Sequence, residues 1–130
     1  PSLLSDSAVT DSLMKADIVM PSIDSCLKKT FQKVDRPREI DLDTVKQAIV
    51  DFSKIYKGKL YLEILFVKGM NDSPQEIELL KKYVKLVDPD ELHINTIDRV
   101  PAEQLELYST EEKSLLINQF KNLDIKVRIF

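Results

Sequence analysis

Five polar side chains lie within or directly after apolar stretches of the sequence, and they are Ser22, Asp24, Glu63, His93 and Asn95. Together they offer carboxylates, an imidazole, a hydroxyl and an amide, which bind a polar ligand when they converge on one site. A carboxylate inside a strand is costly unless something pairs with it. The elements around these residues must therefore explain why polar groups interrupt them.

Four short stretches rich in β-branched residues are predicted to be strands, at residues 17–23, 60–67, 91–96 and 125–130. Between them, apolar residues recur at helical spacing within residues 45–55, 77–87 and 115–123, and an earlier helix is expected around residues 6–15. Strands this far apart cannot form hairpins. We therefore predict an α/β fold over residues 1–130, a single domain with a parallel sheet of four strands and right-handed helical crossovers.

The predicted helix ends carry the residues expected of them. Asp41 or Asp43 can cap the first crossover helix, and Ser73 precedes a proline at the first position of the second. Ser109 opens the last helix, and Gly58 lies where a helix should stop.

Alternate residues of a strand face opposite sides of a sheet. Leu60, Leu62, Ile64 and Phe66 form one apolar series, and the other series of each strand becomes polar. A sheet covered by helices on both faces would be apolar on both. The polar series therefore favours the lumen of a partial TIM-like β/α barrel, in which Glu63 is expected to be solvated or bound to His93.

Several of these polar residues fall at or just after the carboxyl ends of the predicted strands, where α/β proteins bind ligands. They are Ser22, Asp24, Asn95 and Arg99, with Gly69 in the loop after the second strand. Structural explanations remain open for each of them. His93 can be a hydrogen-bonded core histidine, Glu63 can face water at an edge, and Ser22 with Asp24 can cap a helix.

The composition excludes some classes of function. Lys and Arg number 19 against 22 Asp and Glu, so nucleic-acid binding is not indicated by charge. The longest apolar runs are too short to span a bilayer, and a cytoplasmic protein is expected. The single cysteine, Cys26, cannot by itself hold a metal site or an iron–sulfur cluster, and no metal ligands are predicted.

Four segments resemble, in order and spacing, the radical S-adenosylmethionine (SAM) proteins, in the iron–sulfur oxidoreductase group related to molybdenum-cofactor and wyosine biosynthesis enzymes. The segments are Val-Met-Pro-Ser-Ile-Asp at residues 19–24, Thr-Phe-Gln-Lys-Val-Asp-Arg-Pro at 30–37, residues 60–72, which end in Lys-Gly-Met-Asn-Asp, and His-Ile-Asn-Thr-Ile-Asp-Arg-Val-Pro-Ala-Glu at 93–103. The resemblance extends over residues 1–109.

The resemblance implies an enzyme whose first barrel loop binds a [4Fe-4S] cluster through a Cys-x-x-x-Cys-x-x-Cys motif, with SAM as the source of a 5′-deoxyadenosyl radical. This sequence lacks the motif. The resemblance therefore implies that the chain is the carboxyl-terminal half of the barrel, which binds cofactor and substrate, is inactive alone and depends on the missing amino-terminal half as its partner.

The resemblance also implies individual roles. Ser22 and Asp24 match a fourth-strand position that contacts the ribose or methionyl part of SAM. Val67 and Gly69 match the later part of a fifth-strand motif that shapes the adenine site, although Leu65 and Asp72 differ from its glycine and glutamate. Asn95 and Thr96 match the sixth-strand end beside adenine or substrate, and the candidates on the substrate side are Glu63, His93 and Arg99.

Two other functions remain open on sequence alone. The chain can be a complete, non-catalytic α/β module that binds a metabolite or a protein. A hydrolase or aldolase fragment has less support, because Lys68 is the only lysine near the expected site. A half barrel leaves an open strand edge, which tends to recruit another strand, so a homodimer through that edge is predicted.

Overall fold

The computed structural model describes residue 4 and residues 6–34, 40–97 and 106–130. Within these ranges the chain forms an α/β fold with four parallel strands, as the spacing of the apolar segments predicts. The strands are β1 (Ile18–Val19), β2 (Lys59–Phe66), β3 (Glu91–Thr96) and β4 (Lys126–Ile129). They lie side by side in chain order, so each crossover leads to the adjacent strand.

The described helices are α1 (Ser7–Leu13), α2 (Lys28–Val34), α3 (Leu42–Ile55), α4 (Pro74–Val87) and α5 (Thr110–Asn118). Helix α2 is absent from the prediction, which placed a single helix between the first two strands. Phe31 is its one buried residue, so the short helix shows no apolar periodicity. Helix α5 is shorter than predicted, and Leu115 is exposed while Phe120 and Leu123 pack in the core from the turns that follow.

Two of the three predicted helix starts are confirmed by side-chain capping bonds. The Ser73 hydroxyl accepts a hydrogen bond from the Glu76 amide, and Ser109 forms a reciprocal capping box with Glu112. Asp41 occupies the N-cap of α3 without a side-chain capping bond. Gly58 follows the end of α3, and its place there has a steric reason: a Cβ atom would lie 2.9 Å from the carbonyl oxygen of Asp17.

The two faces of the sheet differ, as the alternation in β2 and β3 predicts. Leu62, Ile64, Phe66, Leu92 and Ile94 are fully buried beneath the helices. The opposite face is half-buried or exposed at every described position of β2, β3 and β4. This second surface, here named the open face, consists of Met20, Ser22, Tyr61, Glu63, Leu65, Glu91, His93, Asn95, Lys126, Arg128 and Phe130.

Candidate functional site

The strand register sets the polar residues of the open face in rows across the sheet. Ser22 pairs with Glu63, Glu63 with His93, and His93 with Arg128. The next row towards the carboxyl ends contains Leu65 opposite Asn95. The structure therefore brings Ser22, Glu63, His93 and Asn95 onto one surface.

Glu63 is half-buried in the middle of this surface, and its partner is Asn95. The Asn95 side-chain amide donates a hydrogen bond of 2.8 Å to Oε2 of Glu63. Of the two alternatives expected for Glu63, solvation or a bond to His93, the bond is not observed, although the two residues are in register. His93 instead bonds to Glu91, which lies two residues earlier on the same strand and on the same face.

Glu91 is the centre of a charged cluster at the amino end of β3. Its Oε2 lies 2.7 Å from His93 Nε2 and 2.9 Å from Arg128 Nε, and its Oε1 lies 3.3 Å from Lys126 Nζ. The hydrogen bond from His93, followed by those from Lys126 and Arg128, lowers the pKa of Glu91 to about 2. The carboxylate is therefore ionised at neutral pH and fixes three basic side chains in place.

Aromatic rings hold His93 from both sides. The Tyr61 ring stacks on the imidazole with a centroid distance of 4.8 Å, and the Phe130 ring lies at 5.2 Å and is tilted by 44°. These three rings run diagonally from β2 to the end of β4. They restrict the orientation of the imidazole while its Nε2 remains on Glu91.

Asp24 continues the sheet beyond β1. The amide of Ile23 donates to the carbonyl of Glu63, and the amide of Leu65 then donates 2.8 Å to Oδ1 of Asp24. The carboxylate thus takes the place of the next backbone carbonyl along the strand. Its role in this geometry is to extend the pairing between β1 and β2.

Asn71 fixes the loop that leaves β2, and sequence reasoning missed it. The residue is fully buried, and its Oδ1 accepts a bond of 2.7 Å from the Val67 amide. Its Nδ2 donates to the carbonyls of Asp24 at 2.7 Å and Leu65 at 2.8 Å. One side chain therefore ties the ends of β1 and β2 together at the carboxyl edge of the sheet.

The other predicted cofactor residues lie near this edge in different orientations. Gly69 has a φ of 80°, which favours glycine, and a Cβ atom there would meet nothing within 4 Å. Val67 is buried, and Thr96 belongs to the buried, helix-covered series of β3. A ligand on the open face would therefore meet Thr96 through its backbone. Arg99 lies outside the described residues.

A second set of contacts joins this edge to the start of α5. Lys68 Nζ lies 2.8 Å from Glu112, and the Tyr108 hydroxyl donates 2.6 Å to Asp72. The ion pair raises the pKa of Lys68 and lowers that of Glu112, while burial and the bond to Asp72 raise the pKa of Tyr108. Lys68 is thus a structural partner of the loops and is not available as a nucleophile.

Cys26 does not contribute to the open face. Its backbone amide donates to the buried carboxylate of Glu76 at the start of α4. Burial raises the pKa of its thiol to about 11, against the opposing effect of Lys46. The thiol is therefore protonated at neutral pH, which makes it a poor metal ligand or nucleophile.

Among the described residues, no group of three His, Cys, Asp or Glu side chains could hold a metal ion, and no helix is long and apolar enough to cross a membrane. Grooves of about 670 and 430 Å³ lie on either side of α3, on the helical side of the sheet. Neither contains a residue of the open face. We place the candidate site on the open face because the polar groups converge there.

The described structure adds Glu91, Lys126, Arg128 and Phe130 to the residues singled out from the sequence. The alternation in residues 125–130 could have found the last three, since they share one parity. Asn71 carries no comparable signal, because its importance arises from contacts between two loops.

No family model matches this sequence. The chain is 33% identical over 111 residues to a UPF0026 protein of Helicobacter pylori, a match that covers 85% of this chain and 36% of that protein. It is 34% identical over 99 residues to part of the GTPase Obg of Brachyspira hyodysenteriae, covering 75% of this chain and 15% of that protein. The chain thus spans little more than a third of the length of the Helicobacter relative.

Solved structures identify the class of fold. A domain of pyruvate-formate lyase-activating enzyme from Bacteroides vulgatus superposes with a TM-score of 0.75 at 16% identity, covering 99% of this chain and 77% of that one. A radical SAM methyltransferase from Sphaerobacter thermophilus gives a TM-score of 0.73 at 16% identity, covering 95% and 37%. The α/β fold is therefore one found in radical SAM domains, as the resemblance of the four segments implies.

Proposed function

We propose that this chain is the part of a radical SAM enzyme that binds SAM and substrate, with its open face lining the lumen of a partial barrel. The observation that carries the proposal is the asymmetry of the sheet. One face is apolar and covered by helices, whereas the other holds Glu63, His93 and Asn95 in a half-buried polar surface. A parallel sheet that helices cover on both faces is expected to be apolar on both.

The open face has hydrogen-bonding capacity suited to the polar parts of SAM. Ser22 Oγ, Glu63 Oε1 and Asn95 Oδ1 form no bond with any described residue, although all three residues are half-buried. Such groups can accept hydrogen bonds from ribose hydroxyls or an ammonium group. In the proposed enzyme, SAM would supply the radical chemistry, and these three residues would hold and orient it.

The residues of this chain do not fit an iron–sulfur cluster. A [4Fe-4S] cluster is held by several cysteine thiolates, and this sequence contains only Cys26, whose thiol has a pKa of about 11. In the proposal, the cluster ligands come from another part of the barrel. We therefore assign no cluster-dependent step to residues of this chain.

Binding of SAM to the chain tests the proposed site. Addition of millimolar SAM to isotopically labelled protein is expected to shift the backbone amide signals of Ser22, Glu63 and Asn95. Each hydrogen bond to a charged group contributes about 1.5–3 kcal/mol, so Glu63→Gln is expected to weaken SAM binding by about tenfold or more.

Matched substitutions separate the site from general effects of charge. Glu78→Gln changes the same group on the outer surface of α4, where Glu78 is exposed. It is expected to leave SAM affinity unchanged. The proposed site would be contradicted if the Glu63 and Glu78 variants bound SAM equally well, or if amide signals shifted only in the grooves beside α3. The absence of SAM binding would also contradict it. Each of these results would favour the non-catalytic module.

A further inference from the structure

We propose that Lys126 and Arg128 of β4, with Phe130 directly after the strand, bind a substrate that carries a phosphate or a carboxylate on a planar group. This assigns a substrate class to the proposed lumen and in that sense rests on the proposed function. The interaction is nevertheless a property of the chain alone, so it can be measured without SAM or a cluster.

The local charge favours an anion although the whole chain has a net charge of -3. Lys126 and Arg128 surround one carboxylate, that of Glu91. Two fixed positive charges against one negative charge leave a positive surplus at β4.

Two carboxylates on neighbouring parts of the sheet, Glu63 and Asp90, are engaged by other partners. Glu63 lies two strands away from Arg128, a separation of about 10 Å, and its Oε2 is occupied by Asn95. Asp90 is engaged by Lys59 and by the amide of Leu60. Tyr61 is a further titratable neighbour on β2, and its ring stacks on His93.

Arg128 is prepared for an anion by its contact with Glu91. Its Nε donates to Glu91 at 2.9 Å, which fixes the plane of the guanidinium group. Its terminal amino groups form no hydrogen bond with the described residues, and 48% of the side chain is exposed. A guanidinium held in this way can donate two parallel bonds to an oxyanion.

Phe130 supplies an apolar surface beside these donors. The residue is 58% exposed, although its ring lies against that of His93. It follows Arg128 at the next position of the same face, so a ligand whose anionic group reaches Arg128 can place a planar ring on Phe130. Aromatic pairs of this kind contribute about 0.5–1.5 kcal/mol beyond the buried area.

Titration of the chain with inorganic phosphate at constant ionic strength tests the site. The expected result is saturable movement of the Arg128 side-chain signal and of the His93 ring protons. Arg128→Gln is expected to weaken phosphate binding at least about tenfold, because a charged donor pair is lost. Arg128→Lys retains the charge without the second donor, and an intermediate loss is expected.

Lys121→Gln is the matched control, since Lys121 is an exposed lysine in the turn after α5. It removes the same charge and should leave phosphate affinity unchanged. Equal weakening by the Lys121 and Arg128 substitutions would overturn the proposal, as would the absence of saturable binding. Circular dichroism of both variants shows that the fold is retained.

Two further ligands identify the source of the oxyanion and the role of Phe130. Tighter binding of inorganic phosphate than of acetate assigns a phosphate group, and the reverse assigns a carboxylate. Phenyl phosphate is expected to bind more tightly than inorganic phosphate to the wild-type chain, and Phe130→Ala should abolish that difference. An unchanged difference in Phe130→Ala would overturn the planar-group part of the proposal.

Failure of this site and failure of the proposed function are distinguishable. Oxyanion binding without SAM binding would refute the SAM site and retain the β4 site. SAM binding that Arg128→Gln leaves intact, with no oxyanion binding, would refute the β4 site alone.

Discussion

Replacement of Asn71 by alanine removes three hydrogen bonds from the carboxyl edge of the sheet. The Val67 amide loses its acceptor, and the carbonyls of Asp24 and Leu65 lose a donor. Because Asn71 is fully buried, water does not readily replace the missing groups. The substitution therefore leaves buried polar atoms unsatisfied in the segment that leads from β2 to Gly69.

The expected cost follows from the bonds that are lost. Each contributes about 1 kcal/mol net, and a buried group left without a partner costs about 1–3 kcal/mol. We estimate a loss of about 3 kcal/mol in the free energy of unfolding, a large part of the 5–15 kcal/mol that is usual for a domain. With an m value of about 2 kcal/mol per molar urea, the midpoint should fall by about 1.5 M.

Urea unfolding followed by circular dichroism measures this change. Asn122→Ala is the matched control, because Asn122 is exposed and its side chain forms no hydrogen bond within the described part of the chain. Its midpoint should remain within about 0.3 M of the wild-type value, in line with surface substitutions. A midpoint of Asn71→Ala equal to that of Asn122→Ala, at an unchanged m value, would refute the assigned role of Asn71.

Three further predictions concern stability and assembly. Gly58→Ala should destabilise the fold by about 2 kcal/mol, because the new Cβ would collide with the Asp17 carbonyl. Gly69→Ala should cost about 1 kcal/mol, since only the positive φ opposes it. Equal thermal midpoints of the two variants would contradict this difference. The pKa of Glu91 is lowered to about 2 from 4.5, so its stabilising effect is complete above pH 4.5 and is lost as the pH falls towards about 2. Between about pH 6 and pH 3, the free energy of unfolding measured in urea should therefore fall less for Glu91→Gln than for the wild type. An equal fall in both proteins would refute the stabilising role of the cluster. No described strand pairs with the outer edge of β4, and such an edge tends to recruit another strand. Sedimentation equilibrium should therefore give a mass above 15.0 kDa, and a monomer at all concentrations would exclude the predicted dimer.

The sequence predicted the sheet well because the alternation in β2 and β3 is regular. Apolar residues at every second position predicted which face would be buried. Leu62 and Ile94 belong to that series, and both are buried in the structure. Helix α2 could not be found in this way. A helix with a single buried residue has no apolar stripe from which its period can be read.

Side-chain partners were harder to predict than faces. Parity placed Glu63 and His93 on one surface, and the register sets them side by side. It could not show that His93 would bond along its own strand to Glu91 while Glu63 would bond diagonally to Asn95. Asp24 illustrates the same difficulty, since a carboxylate at a strand end can bind a ligand, cap a helix or replace a backbone carbonyl, and the last of these is observed.

Reductive cleavage of SAM tests the proposed enzyme class most directly. The complete reading frame that encodes this chain should be expressed, loaded with iron and sulfide without oxygen, and supplied with SAM and a strong reductant. The proposal predicts formation of 5′-deoxyadenosine that depends on both additions and is slowed in Glu63→Gln. A folded, cluster-loaded protein that forms no 5′-deoxyadenosine, or a reading frame with no cysteine triplet and no partner that supplies one, would contradict the proposal.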